Sequence, residues 1–226
     1  MEYRLDNTVA ILTFDDGKAN AVGHTFIDAI NDGLDKAESE AEAVVLCGRE
    51  GMFSAGFDLK VLGAGPEQAA ELVTKGMAML TRLYSHPQPL ISACTGHAIG
   101  MGAFILLASD SRIGIEGDFK VTLPETALGM PFTPVLMSLA EARIAPTHQT
   151  AAIIQSRPHS PAEAIAAGFL DELADTDTLL QHCCALAAQF GQYPVGAYRK
   201  NKEDLRSTSL NDMRRSMSDN PFGQGA

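Results

Sequence analysis

Along the first two thirds of the chain, short runs of almost continuous apolar residues alternate with stretches where apolar residues recur every three or four positions. Residues 8–14 are apolar nearly throughout, as in a strand covered on both faces, and Asp15-Asp16-Gly17 supplies turn chemistry at its end. From Val22 onward Phe26, Ile30, Leu34 and Ala37 recur at helical spacing, with His24, Asp28, Asp32 and Asp35 between them. Ala43-Val44-Val45-Leu46-Cys47 predicts a second buried strand, closed by Gly48 and Gly51. Ala69, Leu72, Val73, Met77, Leu80 and Tyr84 mark one stripe of a helix of about four turns. Residues 89–94 predict another strand, opening on a proline where a missing N–H is tolerated. A glycine-rich turn follows, then residues 103–108, apolar all round and so a buried helix.

Residues 112–115 and 119–121 predict two further short strands. Beyond Pro131 the pattern turns helical: 138–144, 149–154, 161–167, 178–190 and 195–207 favour helix, and only 169–173 suggests extended chain. The tail from Asn220 to Ala226 reads as frayed. A strand–helix core followed by a helical C-terminal third is the coarse expectation.

Composition narrows the class. The chain has 226 residues, 46% apolar and 20% charged, enough apolar material for a sizeable core and too much for disorder. A net charge of −11 argues against nucleic acid or an anionic membrane surface as partner. No apolar run approaches the ~18 residues of a membrane span, and Met1-Glu2-Tyr3-Arg4 lacks the profile of a secretory signal, so the expected location is cytoplasmic. Cys47, Cys94, Cys183 and Cys184 include no CxxC pair and read as buried free thiols. His148, His159 and His182 show no metal-ligand spacing, so no metal is expected.

Three segments stand out as carriers of chemistry: Phe53-Ser54-Ala55-Gly56-Phe57-Asp58-Leu59-Lys60, Gly96-His97-Ala98-Ile99-Gly100-Met101-Gly102, and Leu123-Pro124-Glu125-Thr126-Ala127-Leu128-Gly129-Met130. In the second, Gly100 and Gly102 allow a sharp turn and close approach of a ligand to the backbone. The helix beginning near Met101 directs unpaired N–H groups and its positive end outward, which suits an anion. The glycine spacing is neither the dinucleotide fingerprint nor a phosphate loop.

Taken together, in this order and spacing, the three segments resemble the crotonase superfamily, the enoyl-CoA hydratase/isomerase family. Lys18-Ala19-Asn20-Ala21 is similar to a further family element, with Gly17 where proline is usual, and Ser160-Pro161-Ala162-Glu163-Ala164 to another. The resemblance runs from about Lys18 to Leu173. It implies an α/β fold, the crotonase (ClpP-like) spiral of repeated β-β-α units. Residues 1–132 would form the spiral core, and 133–226 a helical region that assembles a homotrimer or a dimer of trimers.

By the same resemblance the substrate is an acyl-CoA thioester, with no cofactor beyond the CoA it carries. The backbone N–H groups of Phe57 and Met101 are implied as the oxyanion hole, their bulky side chains shaping the acyl pocket. Lys18, Ala19, Ala55, Asp58, Leu59, Lys60, Gly100, Phe104 and Phe132 are implied at the substrate. Asp58 is also read as the cap of the turn that follows it, His97 and Asp110 as structural, and 61–68 as a mobile loop over the acyl pocket. The chain is short for the family. Lys200, Lys202, Arg206, Arg214 and Arg215 are the basic residues near its end that would have to replace the family's C-terminal phosphate contacts.

Hydratases of this family use two carboxylates. Here the first position is Phe104 and the second is Glu125. One base suffices to move a double bond from the 3,4 to the 2,3 position, and the Leu-Pro-Glu-Thr-Ala-Leu-Gly stretch is similar to the mitochondrial Δ3,Δ2-enoyl-CoA isomerase branch. The expected activity is therefore 3,2-trans-enoyl-CoA isomerase in fatty-acid breakdown, with Glu125 as sole acid/base. Alternatives are an enoyl-CoA hydratase, a crotonase-type hydrolase or decarboxylase, and a non-catalytic acyl-CoA-binding protein. Glu125 with both glycine turns argues against the last.

Overall fold

The computed structural model describes residues 1–219, so the tail predicted to fray lies outside the described residues. An antiparallel hairpin, β1 (Glu2–Asp6) and β2 (Val9–Thr13), turns through Asn7 at φ +54. Strands β3 (Ala43–Cys47), β5 (Leu90–Ala93), β7 (Ser111–Ile115) and β9 (Glu172–Ala174) extend it in parallel, in the order β1-β2-β3-β5-β7-β9. A second, parallel sheet holds β4 (Gly51–Ser54), β6 (Gly96–Ile99) and β8 (Val121–Thr122) in that order.

Ten α-helices lie among the described residues: α1 (His24–Glu40), α2 (Leu59–Leu62), α3 (Pro66–Tyr84), α4 (Met101–Ala108), α5 (Pro134–Arg143), α6 (Pro146–Gln149), α7 (Pro161–Ala167), α8 (Leu179–Gly191), α9 (Val195–Leu205) and α10 (Ser207–Asp219). A π-helical turn, Thr150–Ile154, follows α6. The order of elements is a spiral. β3-β4-α2-α3, β5-β6-α4 and β7-β8-α5 each place one strand in the large sheet, the next in the small sheet, and then a helix. Each turn advances both sheets by one parallel strand, which is the β-β-α repeat.

The all-apolar strands follow from this layering. Ala10, Leu12, Val44, Leu46 and Leu90 face the core shared with α1, α3 and α4, while Val9, Ile11, Val45, Ile91 and Ile113 face α8 through Leu179, Cys183 and Ala187. Alternate residues therefore point to opposite apolar layers, and neither face is left polar. All four cysteines are free, and Cys47, Cys94 and Cys183 are buried.

Several elements differ from the sequence pattern. β1 was not foreseen because it is a polar edge strand with three exposed residues. Residues 96–99 look like a turn by composition but form β6, because a methyl group at Gly96 would fall 2.1 Å from the carbonyl carbon of Gly51. Only glycine lets these strands meet. Residues 61–68 are not one loop. Pro66 opens α3, Asp58 caps α2, and three residues, 63–65, join them. The stretch 195–207 breaks at Arg206 into α9 and α10, α10 running on to Asp219.

The C-terminal helices fold back on the core. Leu210 and Met213 of α10 are buried in it, and the Thr81 hydroxyl meets Met217 Sδ at 3.7 Å. Asp110, between α4 and β7, anchors the fold-back. Its carboxylate accepts from Lys202 Nζ at 2.6 Å, Arg206 Nη2 at 2.8 Å, the Tyr198 hydroxyl at 3.1 Å and the Leu90 amide at 2.9 Å. Lys202 and Arg206 are 5% and 7% exposed, so neither is free to meet a phosphate, contrary to their candidacy in the sequence.

Candidate active site

The first glycine turn is built from its neighbours. Asn20 is buried at φ +48 and donates Nδ2 to the carbonyls of Phe14, Met52 and Phe53 at 2.9–3.1 Å. The Ser54 hydroxyl donates to the Asn20 carbonyl at 2.7 Å and accepts from the Gly56 amide at 3.2 Å. Val22 then pairs with Phe57 as a parallel bridge. The Val22 amide donates to the Gly56 carbonyl (2.8 Å), and the Asp58 amide donates to the Val22 carbonyl (3.1 Å). In such a bridge the middle residue points its own N–H the other way. The Phe57 amide thus has no acceptor among the described residues.

The second turn delivers a matching donor. The Gly100 amide is tied to the Thr122 carbonyl at 2.9 Å, and its φ of +53 turns the chain into α4. Met101 is the first residue of that helix, so its N–H has no intrahelical acceptor and sits at the positive end of the helix dipole. A methyl group at Gly56 would lie 3.3 Å from the Met101 nitrogen and 2.8 Å from the Ile99 carbonyl oxygen, so the two turns are in contact. Both side chains turn onto Gly76 of α3, where a methyl group would be 2.6 Å from Phe57 Cζ and 3.0 Å from Met101 Cε. Gly76 was not singled out in the sequence. A glycine inside a helical stripe was its signal.

Glu125 completes the constellation. It opens a turn closed by the Met130 amide, which donates to the Glu125 carbonyl at 2.8 Å. A methyl group at Gly100 would lie 3.1 Å from Glu125 Oε1, which sets the carboxylate beside the residue preceding the Met101 amide. Glu125 is 8% exposed, and its Oε2 has no partner among the described residues. Burial raises its pKa to about 7, with only its own backbone amide pulling the other way. No other charged group enters this shift. Phe104, one helical turn after Gly100, is fully buried and packs edge-to-face on Phe132 at 5.6 Å.

The remaining candidates divide into two groups. The Ala55 amide donates to the Ala19 carbonyl at 2.9 Å, so those two positions adjoin beside the first turn. Asp58 caps α2 as read, accepting from the Lys60 amide at 2.9 Å. Lys18, Leu59 and Lys60 are exposed at the surface. His97 Nδ1 accepts from the Lys120 amide at 3.1 Å and its ring stacks edge-on against Phe119, which is a structural role.

Two unpartnered backbone amides in adjoining turns, with one buried carboxylate beside them, can stabilise a developing oxyanion and move a proton. The family model for enoyl-CoA hydratase/isomerase matches residues 4–219. The chain belongs to the enoyl-CoA hydratase/isomerase family. Among relatives, a probable enoyl-CoA hydratase of Bacillus subtilis is 30% identical over 198 residues, covering 83% of this chain and 74% of that protein. A solved structure of an enoyl-CoA hydratase/isomerase family protein from Pseudomonas syringae superposes with a TM-score of 0.92 at 37% identity, covering 96% of this chain and 94% of that one. The apo structure of a Mycobacterium tuberculosis enoyl-CoA isomerase gives 0.91 at 30% identity, covering 96% and 95%. The chain is thus an enzyme of the hydratase/isomerase family with the crotonase fold. No described helix is long and apolar enough to cross a membrane.

Proposed function

We propose that this enzyme is a 3,2-trans-enoyl-CoA isomerase, acting on an acyl-CoA thioester without a cofactor beyond the CoA of its substrate. The observation that supports this over hydration is the solitary state of Glu125. It is buried, its Oε2 is unpaired, and Phe104 occupies the position where hydratases of the family carry their other carboxylate. The amides of Phe57 and Met101 receive the thioester oxygen. Glu125 removes a proton from C2, the negative charge moves onto that oxygen as a dienolate, and the same carboxyl returns the proton at C4. The double bond shifts from 3,4 to 2,3 and no atom is gained or lost.

A carboxyl raised to about 7 by burial suits both halves of this cycle, since it gives up and takes back its proton near neutral pH. Phe104 and Phe132 keep the acyl tail dry. Ala19, Ala55, Asp58 and Leu59 line the approach of the thioester, and Lys18 and Lys60 serve as surface charges for CoA phosphates. The same reading carries a cytoplasmic homotrimer or dimer of trimers, which sedimentation equilibrium measures.

The test supplies purified protein with a 3-enoyl-CoA and with a 2-enoyl-CoA, following both double-bond position and water uptake. Migration without 3-hydroxyacyl product is expected, with kcat rising with pH through an apparent pKa of about 7 as Glu125 ionises. Glu125→Gln lowers migration by about 10²- to 10⁴-fold. Efficient formation of a hydroxyacyl product, or near wild-type migration by Glu125→Gln, rules the proposal out.

A further inference from the structure

The Glu125 turn is held from outside by a segment that carries no sequence motif, the connection from the π-helical turn to α7. The Thr126 hydroxyl donates to the Ile153 carbonyl at 2.9 Å. The backbones of Val121 and His159 exchange two hydrogen bonds of 2.9 Å. Between these points stands Ser156, which grips the turn on both sides of Glu125. Its carbonyl accepts from the Thr122 hydroxyl at 3.4 Å, and its hydroxyl oxygen accepts from the Ala127 amide at 3.2 Å.

Ser156 has an unusual backbone for its residue type. It adopts φ +49, a left-handed conformation that non-glycine residues seldom take. The chain before it is also irregular, since the Gln155 amide reaches back to the Thr150 carbonyl and the Arg157 amide to the Ala151 carbonyl. This irregular exit presents the carbonyl and hydroxyl of one residue to Thr122 and Ala127, which lie three residues before and two after Glu125. Glu125 itself lacks a side-chain partner on Oε2 to fix its direction. The orientation of the carboxyl therefore depends on how its backbone turn is held.

We infer that Ser156 is a positioning residue for Glu125, its hydroxyl clasping the turn so that the carboxyl stays buried beside the oxyanion amides. This rests on the isomerase reading above. Without the clasp the turn loosens at Ala127, water reaches the carboxyl, and the geometry of proton transfer degrades while thioester binding by the backbone amides persists.

Four proteins separate the outcomes: wild type, Ser156→Gly, Ser156→Asn and Glu125→Gln. Glycine removes the hydroxyl but accepts the left-handed backbone freely, so its melting temperature should match wild type within a few degrees. Its kcat for 3-enoyl-CoA migration should fall about tenfold with KM changed less than about twofold, the size of one lost positioning hydrogen bond. The acid limb of its pH–kcat profile should move toward lower pH as the carboxyl becomes hydrated. Asparagine tolerates the same backbone and offers an acceptor oxygen, so it should recover most of kcat and the wild-type limb.

His159 does not confound that limb. Its ring is buried against Phe169 and His148, and burial, followed by the nearby Arg157, holds its pKa below the usual range despite Glu163 and its tie to Val121. Its titration is thereby moved to the acid side, away from that of Glu125. A Ser156→Gly protein with wild-type kcat and limb, while Glu125→Gln is inactive, overturns the clasp and leaves the base assignment standing. If Glu125→Gln itself stays active, the reading beneath the clasp has failed instead. Should Ser156→Gly fail to fold, amide hydrogen exchange of wild type decides instead: the Ala127 N–H is expected to be protected by its bond to the Ser156 hydroxyl, and exchange of that amide at the rate of a free peptide overturns the clasp.

Discussion

Two carboxylates are buried to nearly the same degree in this enzyme and do opposite work. The Asp110 side chain is 9% exposed and accepts from Lys202, Arg206, Tyr198 and a backbone amide. Glu125 is 8% exposed, has one oxygen with no partner, and has no cation beside it. The first spends its charge on structure by joining α9 and the break that precedes α10 to the start of β5. The second keeps its charge expensive, and that cost lifts its pKa into the range where a base is useful. Burial alone does not decide what a carboxylate does; its partners do.

The largest expected effect tests the structural half. Asp110→Ala strands Lys202 and Arg206 in the interior, and should cost about 3–5 kcal/mol of stability, read by thermal or urea unfolding. Hydrogen exchange should report first in α9 and α10. A loss under about 1 kcal/mol would mean that the two cations find water easily and that Asp110 is not the anchor.

Glu125→Gln sharpens the contrast because its effect on stability should have the opposite sign. The Glu125 pKa rises from 4.5 to about 7 on folding, so the folded state favours the protonated form. Relative to the neutral side chain there is no penalty below about pH 4.5, and the penalty grows as pH climbs from 4.5 to about 7 and then levels off. It reaches about 3 kcal/mol at pH 8. The variant should accordingly unfold at higher denaturant than wild type at pH 8, and at the same denaturant near pH 4. Equal stability at both pH values would show a solvated carboxylate and remove the physical basis for its role as base.

Asp58 supplies the smallest effect. Half-buried and capping α2 through the Lys60 amide, it should lose about 1 kcal/mol as Asp58→Ala, with little change in the pH dependence of activity. A change as large as that of Asp110→Ala would show that the α2 cap supports the Phe57 turn itself.

The amino-acid sequence by itself determined the apolar strands of the large sheet, the helices α1, α3 and α8, and the three segments that converge on the site. Each has a local cause: all-apolar runs for strands covered on both faces, stripes at helical period, glycines where the backbone turns. Glu125, Phe57, Met101 and Gly100 were legible because their neighbours form spaced motifs. What the tertiary structure decided depends on contacts remote in sequence. β6 is a strand because Gly96 lies against Gly51, and Gly76 matters because Phe57 and Met101 rest on it. Lys202 and Arg206 look like surface charges in a polar helix, and only the fold-back onto Asp110 buries them. The apolar neighbours of Glu125 already point to a raised proton affinity, but its extent was decided by packing. It arises from the absence of partners around a buried group, and a partner's absence exists only once the whole chain has packed.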